Sequence, residues 1–349
     1  MKKSKGMQLG AMLAAMLLLS IVFMPVVSAQ GADEKLSKPL GFNGNNTFNI
    51  PKGATVVHTK LGVTEIYDQS NNIWKRFPQE KVDNVSTPYG PQKATKVYEL
   101  PSESSVQQAS KGEVEVYDPS GEVILKVVDE EMPQSIPDYS GWIEQTYTSS
   151  ADNNINYFYA EWTVPTEPIS DWIDDDVAYL FPAIQAPGSG SWSGRNTIIQ
   201  PVLEHNEDGL WPGNPKTGAA WIVDSSNNYY RSSPINVNVG DRIRGLMSWD
   251  GAKWWITFYD QTTGGNTYLT TNLQGTTGQY LYTALEGHNL DATSDLWGTT
   301  DFSNMAIKRN GQTITVNWNK YVDPNAQNLF QGLGVDIVDS SHTRLKTGR

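Results

Sequence analysis

The chain contains no cysteine, and this absence excludes several kinds of chemistry at once. Without thiols it can form neither disulfides nor thiolate metal sites, and it has no cysteine nucleophile. Basic residues are in the minority, since 26 Lys and Arg stand against 38 Asp and Glu and give a net charge of −12. Scattered cations of this kind disfavour nucleic acid and anionic membrane surfaces as partners. We therefore expect a fold that is stabilised by its core alone.

Long apolar runs are missing after the first 29 residues, and no later run is long enough to cross a bilayer. The N-terminal stretch places lysines before an apolar segment and ends in "VSA". This pattern predicts a secretory signal peptide over residues 1–29, cleaved after Ala29. We expect a secreted, extracellular monomer with no membrane span after cleavage. A signal peptide that is retained as an anchor is the alternative.

Helical periodicity is also scarce, whereas short runs rich in Val, Ile, Tyr, Trp and Thr recur between clusters of Gly, Asn and Ser. About ten such runs lie between residues 156 and 318, which predicts an all-β, lectin-like jelly roll of two antiparallel sheets. The 12 Trp and 16 Tyr would fill its core or line a groove. Pro201 falls inside one run, where we expect a bulge or a sheet edge because proline lacks an N–H group.

The N-terminal part contains a weak internal repeat. "GVTEIYDQSNNIWKRF" (62–77) and "GEVEVYDPSGEVILKV" (112–127) align without gaps, and each reads as a hairpin that turns at an aspartate, Asp68 or Asp118. Residues 130–141 carry two prolines and read as a linker. The predicted organisation is a signal peptide over 1–29, a small accessory β region or propeptide over 30–138, and a β-sandwich domain over 139–349.

Several known catalytic and metal-binding motifs are not present. "GSGSWSG" (188–194) does not match the serine nucleophile motif, and "DWIDDD" (171–176) lacks the spacing and the glycine of a calcium loop. The four histidines lack the spacing of a zinc motif, although a site made of Glu and His from neighbouring strands is conceivable. We expect neither a metal nor a cofactor.

Carboxylates within strands are more informative, because charged side chains are rarely buried without a partner. In the run 196–206, Gln200 and Glu204 share one face, and in the run 281–290 Glu286 and His288 share another. If these faces form one concave surface, Gln200, Glu204 and Glu286 could converge. A desolvated carboxyl group can act as an acid or a base, and a glutamine amide can donate to an oxyanion. This set suits hydrolysis by an activated water, and an ordinary polar sheet face is the alternative.

Three segments of the C-terminal part resemble the eqolisins, the glutamic peptidases. These segments are "YAEWTVP" (159–165), "LFPAIQ…NTIIQPV" (180–202) and "AAWIVDSSNNYYRSSPINVNVGDRI" (219–243). The likeness covers roughly residues 160–310 and indicates a divergent member. It implies a jelly roll, an N-terminal propeptide and cleavage of peptide bonds. It also places Gln200 on the catalytic glutamine of the family.

The family's catalytic glutamate falls on Val223 in this chain. The adjacent Asp224 should point to the opposite face. Three explanations stay open. Glu204 or Glu286 replaces the acid from another strand, or a bulge lets Asp224 face the groove, or catalysis is lost and the groove only binds.

The predicted function is that of a peptidase-like hydrolase, in which Gln200 polarises the carbonyl group. Glu286 or Glu204 is the general base and then protonates the leaving amine. The predicted substrate-binding residues are Trp162, Trp221, Trp192, Gln185 and His288. The expected partner is a polypeptide. A non-catalytic glycan- or peptide-binding module of the cell surface is the alternative, and a structural envelope protein is a third possibility.

Overall fold

A computed structural model describes residues 50–59, 63–77, 84–85, 87–88, 92–110, 112–129, 141–148, 152, 154–167, 177–187, 196–206, 216–288, 290 and 293–348. All of them belong to the unit formed by residues 36–349. The predicted signal peptide, the acidic stretch 171–176 and the linker residues 130–140 lie outside the described residues, and so does Trp192.

Alternating burial defines most of the strands, as in Trp254–Asp260, where every second side chain is buried. The strands are β1 (Ala54–His58), β2 (Thr64–Tyr67), β3 (Ile73–Phe77), β4 (Asn84–Val85), β5 (Gln92–Lys93), β6 (Val97–Leu100), β7 (Ser105–Ser110), β8 (Glu113–Tyr117), β9 (Val123–Asp129), β10 (Trp142–Thr148), β11 (Ile155–Thr163), β12 (Val177–Pro187), β13 (Asn196–Asn206), β14 (Lys216–Val223), β15 (Tyr229–Ser232), β16 (Ile235–Asn236), β17 (Arg242–Trp249), β18 (Trp254–Asp260), β19 (Asn266–Thr271), β20 (Tyr280–His288), β21 (Thr300–Arg309), β22 (Gln312–Ile314), β23 (Trp318–Val322), β24 (Gly334–Asp339) and β25 (His342–Lys346). One α-helix, α1 (Pro324–Leu329), and two 3-10 turns, Ala94–Lys96 and Thr293–Asp295, complete the described elements.

These strands form two large sheets. The larger sheet has the order β24-β25-β21-β11-β17-β18-β19-β7-β8-β9-β1-β2-β3, with β22 beside β21. The smaller sheet has the order β23-β10-β20-β12-β13-β14-β15-β6, with β16 beside β14. Apolar residues of both sheets, among them Phe158, Leu203 and Ile256, form the core between them. The predicted all-β, lectin-like sandwich is confirmed.

The complete sheets are mixed, although the described strands of residues 139–349 pair with one another in antiparallel fashion, as predicted. Three strand pairs are parallel, namely β1 with β9, β6 with β15 and β7 with β19. Each pair uses strands from the N-terminal part of the chain. The strand β6 extends the smaller sheet. The next strand, β7, pairs with β19 of the larger sheet, so this part of the chain adds a strand to each sheet. The domain boundary near residue 139 stays a prediction.

Both copies of the N-terminal repeat are hairpins, formed by β2 and β3 and by β8 and β9. Their turns are alike, because Asp68 and Asp118 each accept two backbone N–H groups with Oδ1. The donors are Ser70 and Asn72, both at 2.9 Å, in the first turn, and Ser120 at 2.9 Å and Glu122 at 3.0 Å in the second. An aspartate in this position stabilises a tight turn, because its side chain accepts N–H groups that have no backbone acceptor within the turn.

Pro201 lies in the central strand β13, so the expectation of a bulge or an edge is wrong. Pairing with β14 runs through Pro201 without a shift in register. Pairing with β12 is interrupted at Pro201 and resumes in the same register. Pro201 lies opposite Pro182, and because proline has no N–H group, neither residue leaves a backbone donor unpaired. Both rings approach Gly245 in the larger sheet, where an added Cβ would lie 2.8 Å from Pro201 Cγ.

Candidate functional site on the smaller sheet

One side of the smaller sheet faces the core between the sheets, and the opposite side carries the predicted site. We call this opposite side the covered face. In β13, Ile199 and Leu203 pack in the core between the sheets, whereas Ile198 and Val202 pack on the covered face. Alternation places Gln200 on the same side as Ile198 and Val202. The covered face carries Tyr179 and Phe181 of β12, Gln200 and Glu204 of β13, Trp221 and Val223 of β14, Tyr229 and Arg231 of β15, and Ala284 and Glu286 of β20.

Residues of the N-terminal part lie over this face. Ala94 and Val97 pack in the same apolar cluster as Trp221 and Tyr229. Thr87 is fully buried and interacts with the Tyr229 hydroxyl through its side chain. Its backbone also interacts with the ring of His288. As a result Gln200, Glu204 and Glu286 are each 0% exposed.

Glu204 is held in a buried ion pair with Arg231. Its Oε1 accepts Arg231 Nε at 3.0 Å and the Trp221 indole N–H at 2.5 Å. Its Oε2 accepts the Thr217 hydroxyl at 2.8 Å and also Arg231 Nη2. A carboxylate has about four acceptor positions, and here all of them are used. Because a general base needs a free lone pair to hold a water molecule, this arrangement fits a structural role better than a catalytic one.

Glu286 has a different environment. Its Oε1 lies 3.0 Å from His288 Nε2, and no cation is paired with it among the described residues. Burial raises the pKa of Glu286 well above its usual value, although the indole N–H of Trp142 opposes the shift. Burial also lowers the pKa of His288 to about 4, against a smaller effect of the Thr87 backbone. Burial thus disfavours the charged form of both groups, which raises the pKa of the carboxyl group and lowers that of the imidazole.

The covered face curves inward. Tyr229 and Glu286 lie four strands apart in the sheet order, yet the Glu286 charge raises the pKa of Tyr229 in addition to the larger effect of burial. Thr87 interacts with both Tyr229 and His288, so it lies at the centre of this concavity. These interactions agree with the concave surface that the sequence predicts.

Gln200 is buried without any hydrogen bond. Neither its Oε1 nor its Nε2 has a partner among the described residues. Leaving such a group unsatisfied costs about 1–3 kcal/mol, so an orphaned amide calls for an explanation. The residue beside it in β14 is Trp221. Two residue pairs further along the same two strands, Val223 is buried and lies opposite Ile198.

Asp224 does not reach the covered face. Its carboxylate accepts the Ser226 N–H at 2.8 Å, the Asn228 N–H at 2.9 Å and the Tyr230 hydroxyl at 3.0 Å. Tyr230 belongs to the core between the sheets. Because β13 and β14 pair without a register shift, the explanation that a bulge turns Asp224 towards the groove is wrong.

The three predicted catalytic residues share the covered face, but no hydrogen bond or ion pair joins Gln200 to either carboxylate. Glu286 and Glu204 are both in register with Tyr179 of β12. Gln200 lies four residues before Glu204 on β13, which puts its Cα about 16 Å from that of Glu286 along a flat sheet. The catalytic roles of these residues stay predictions.

The other predicted residues are more dispersed. Trp221 lies on the covered face, and Gln185 is half-buried at the end of the same face, opposite Ile198. His288 contacts Glu286, as described above. Trp162 lies in the core between the sheets, where its ring centroid is 5.9 Å from that of Phe258, so it is not on this face.

Sequence reasoning missed the residues that complete the site, namely Arg231, Tyr229 and Thr87. The run "YYRS" in β15 offered a signal, because an arginine that follows two tyrosines in a short strand requires an acidic partner if it is buried. Among the described residues, no group of three or more His, Asp or Glu side chains is placed to hold a metal ion. In the same part of the chain, none of the helices has the length and apolarity to cross a bilayer.

Comparison with known proteins gives resemblances of fold. No protein-family model matches the chain, and no curated protein matches its sequence. Among solved structures, a scytalido-glutamic peptidase with a transition-state analogue inhibitor is similar at 12% identity and a TM-score of 0.42, over 59% of this chain and 98% of that chain. A toad ovary galectin in complex with thio-digalactose matches at 9% identity and a TM-score of 0.26, over 48% of this chain and 98% of that one. An alginate lyase from Pseudomonas aeruginosa matches at 13% identity and a TM-score of 0.30, over 56% of this chain and 73% of that one.

Proposed function

We propose that this protein is exported and that the covered face of its smaller sheet binds an extended polypeptide. The observation that carries the proposal is that the chain's own residues already lie on that face. Thr87, Ala94 and Val97 are all buried there. A surface that accepts its own backbone in this way has the shape and the polar groups that a polypeptide needs.

Two modes of contact support a polypeptide as the ligand. The strand β6 adds in parallel to β15, with Val97 opposite Tyr229, which is recognition by strand addition at a sheet edge. Before that strand, the Thr87 backbone is held by the His288 side chain. Main-chain hydrogen bonds give such a site affinity for any extended chain, and side-chain pockets give selectivity.

A glycan is a weaker candidate for this face. Sugar rings stack on exposed aromatic rings, whereas Trp221 is 1% exposed and Trp142 is 8% exposed. Both indoles lie among protein side chains, and the Trp142 ring is 4.9 Å from that of Tyr282.

Peptide hydrolysis is the second candidate, and a specific observation favours it. The Thr87 backbone interacts with His288, which is paired with a carboxyl group of raised pKa. A protonated Glu286 in this position could protonate the leaving amine of a bound peptide. Gln200 would polarise the carbonyl group with its unpaired amide.

The test displaces the chain's own segment by Ala94→Trp, which places a large ring in a buried position. The matched control, Ser120→Trp, adds the same ring to an exposed turn. We expect a labelled synthetic peptide of residues 84–100 to bind Ala94→Trp in fluorescence polarisation but not the native chain or the control. A folded Ala94→Trp protein, as judged by near-UV circular dichroism, that fails to bind the peptide would contradict the proposal.

The same proteins decide between binding and hydrolysis. A denatured protein substrate is incubated with the native chain and with Ala94→Trp from pH 2 to 8. Gln200→Ala and Glu286→Gln are then introduced into whichever form is active. Cleavage that is lost in both variants supports a hydrolase, whereas peptide binding without cleavage at any pH indicates a binding module.

A further inference from the structure

The larger sheet has an open side that carries a second, unrelated surface. Alternate side chains of four neighbouring strands point away from the core and are half-buried. We call this surface the tyrosine face, and it consists of Tyr157, Tyr159, Leu246, Trp255, Tyr259 and Tyr268. The rings are ordered relative to one another. Those of Tyr157 and Tyr159 stack at 6.4 Å, and those of Trp255 and Tyr268 lie 5.5 Å apart.

Cations lie over three of these rings. Arg244 Cζ is 4.5 Å from the centroid of Tyr259, and Lys308 Nζ is 4.4 Å from that of Tyr157. Lys253 Nζ lies 4.7 Å from the ring of Trp255. Cation–π contacts orient a cation without neutralising it, so each keeps its charge available.

Arg244 is the unusual member of this set. Its Nε is buried without a hydrogen-bond partner, and it forms no ion pair with any described residue. Arg242, two residues earlier on the same side of the same strand, has Nη2 3.8 Å from a Glu161 carboxylate oxygen. Glu161 lies opposite Arg244 in the strand pair, but its carboxylate is engaged by Asn304 and Gln261 and forms its ion pair with Arg242. A guanidinium in this state is a ready receptor for a carboxylate from outside.

A polar cleft adjoins the tyrosine face. It has a volume of about 470 Å³, and its lining includes Thr163, Ser303 and Asn304. Glu161 borders it and is already engaged by Asn304 Nδ2 at 2.7 Å and Gln261 Nε2 at 3.1 Å. Hydroxyl and amide groups at the edge of an aromatic surface suit a ligand rich in hydroxyl groups.

We propose that the tyrosine face binds an acidic polysaccharide. A uronate carboxylate pairs with Arg244, which the Tyr259 ring orients. The apolar faces of neighbouring sugar rings lie against the aromatic side chains of the tyrosine face, and sugar hydroxyl groups reach the polar cleft. The charge of the uronate complements the Arg244 guanidinium, which a neutral glycan cannot do. This site lies on the opposite sheet from the covered face and does not depend on the function proposed there.

Other anionic partners fit less well. Insertion into a membrane needs protruding aromatic side chains, and none of the six residues of the tyrosine face is among the exposed large apolar residues. Nucleic acid needs many cations along its backbone, and the net charge of −12 opposes that association.

The test measures binding of hexagalacturonate to residues 30–349 by isothermal titration calorimetry at low salt, with the methyl-esterified hexamer and xylohexaose as comparison ligands. We expect binding of the acid form alone. Arg244→Gln should weaken it about tenfold or more, since a charge-assisted pair is lost. Tyr259→Ala should weaken it to a similar degree. The matched control Arg76→Gln should change the affinity less than about twofold, because Arg76 lies on the edge strand β3 of the same sheet, away from the tyrosine face, and is already paired with Glu65.

Three results would overturn the proposal. In the first, the native chain does not bind the hexamer. In the second, Arg244→Gln and Arg76→Gln lose the same affinity, which would indicate diffuse charge attraction. In the third, the protein prefers vesicles that contain phosphatidylglycerol. Near-UV circular dichroism of each variant distinguishes lost binding from lost folding. If Arg244→Gln does not fold, Arg244→Lys replaces it, and an unchanged affinity would then contradict bidentate recognition.

Discussion

The covered face contains two buried glutamates, Glu204 and Glu286, whose surroundings are opposite in character. Glu204 and Glu286 flank Tyr179 in one row of the sheet, and both are 0% exposed. On the side towards β15, Arg231 and two further donors, Thr217 and Trp221, fix the Glu204 carboxylate. On the side towards β10, Glu286 has a histidine beside it, and burial raises its pKa. A guanidinium partner gives a buried carboxylate a structural role. Without such a partner, burial raises the pKa of the carboxyl group, which can then bind and release a proton.

The sharpest test of this contrast removes the guanidinium. Arg231→Met is expected to destabilise the fold by about 3–5 kcal/mol, because it leaves the Glu204 carboxylate buried without its counterion. Urea unfolding at pH 7 measures the loss. The double variant Arg231→Met/Glu204→Gln should recover part of it. Arg344→Met, which breaks the more exposed pair with Asp301, should have a far smaller effect, and an equal effect would contradict the comparison.

The second test uses pH on the other half of the face. Burial raises the folded-state pKa of Glu286, so the folded protein binds this proton more tightly than the unfolded chain does. The resulting stability is fully present below about pH 4.5 and is lost as pH rises towards the folded pKa. Glu286→Gln removes the ionisable group and with it this pH-dependent loss of stability. Relative to the native chain, the variant should gain stability with rising pH, by at most about 1.4 kcal/mol per unit.

Two neighbouring groups sharpen this measurement. The pKa of His288 is lowered to about 4 by burial, so its contribution is lost as pH falls from about 6.5 to 4 and opposes that of Glu286 in the range where both titrate. Glu144 is the matched control, since burial raises its pKa to about 8 although the Gly334 N–H donates to it. Glu144→Gln should show the same sign as Glu286→Gln, with the gain ending near pH 8. A flat difference for Glu286→Gln between pH 5 and 8 would show that Glu286 ionises normally.

The smallest effect is expected at Gln200, which lies on the same strand as Glu204. Gln200→Leu removes an amide that has no partner, and stability should stay unchanged or rise by about 1 kcal/mol. Gln185→Leu is the matched control on the same face, and because Gln185 is only half-buried, no gain is expected there. Thermal unfolding of both variants measures the difference. A loss above about 1 kcal/mol in Gln200→Leu would mean that the amide has a partner, such as a buried water.

Alternation along single strands was predictable, because it depends only on the two-residue period of a strand. It placed Gln200 with Glu204, and Glu286 with His288, on the side where the structure has them. The aspartate turns of the two hairpins were predictable for the same reason, since Asp68 and Asp118 act on residues two and four positions away.

Features that depend on distant residues could not be predicted in this way. The effect of Pro201 was misjudged because its partner, Pro182, lies on another strand and removes the conflict. The ion pair of Glu204 with Arg231 and the cover by Thr87 each join segments that no local pattern connects. The separation of the site residues also needed the strand order, which places one strand, β12, between Gln200 and Glu286.

The short connection between β6 and β7 has a consequence for the order in which the molecule assembles. Val97 pairs with Tyr229 and Ser105 pairs with Thr270, so contacts across more than about 130 residues close this part of the fold, and such contacts form slowly. These N-terminal strands emerge from the ribosome first, yet they find their partners only after most of the chain has been made. The face over the site is therefore closed late in folding, when the sheet beneath it already exists.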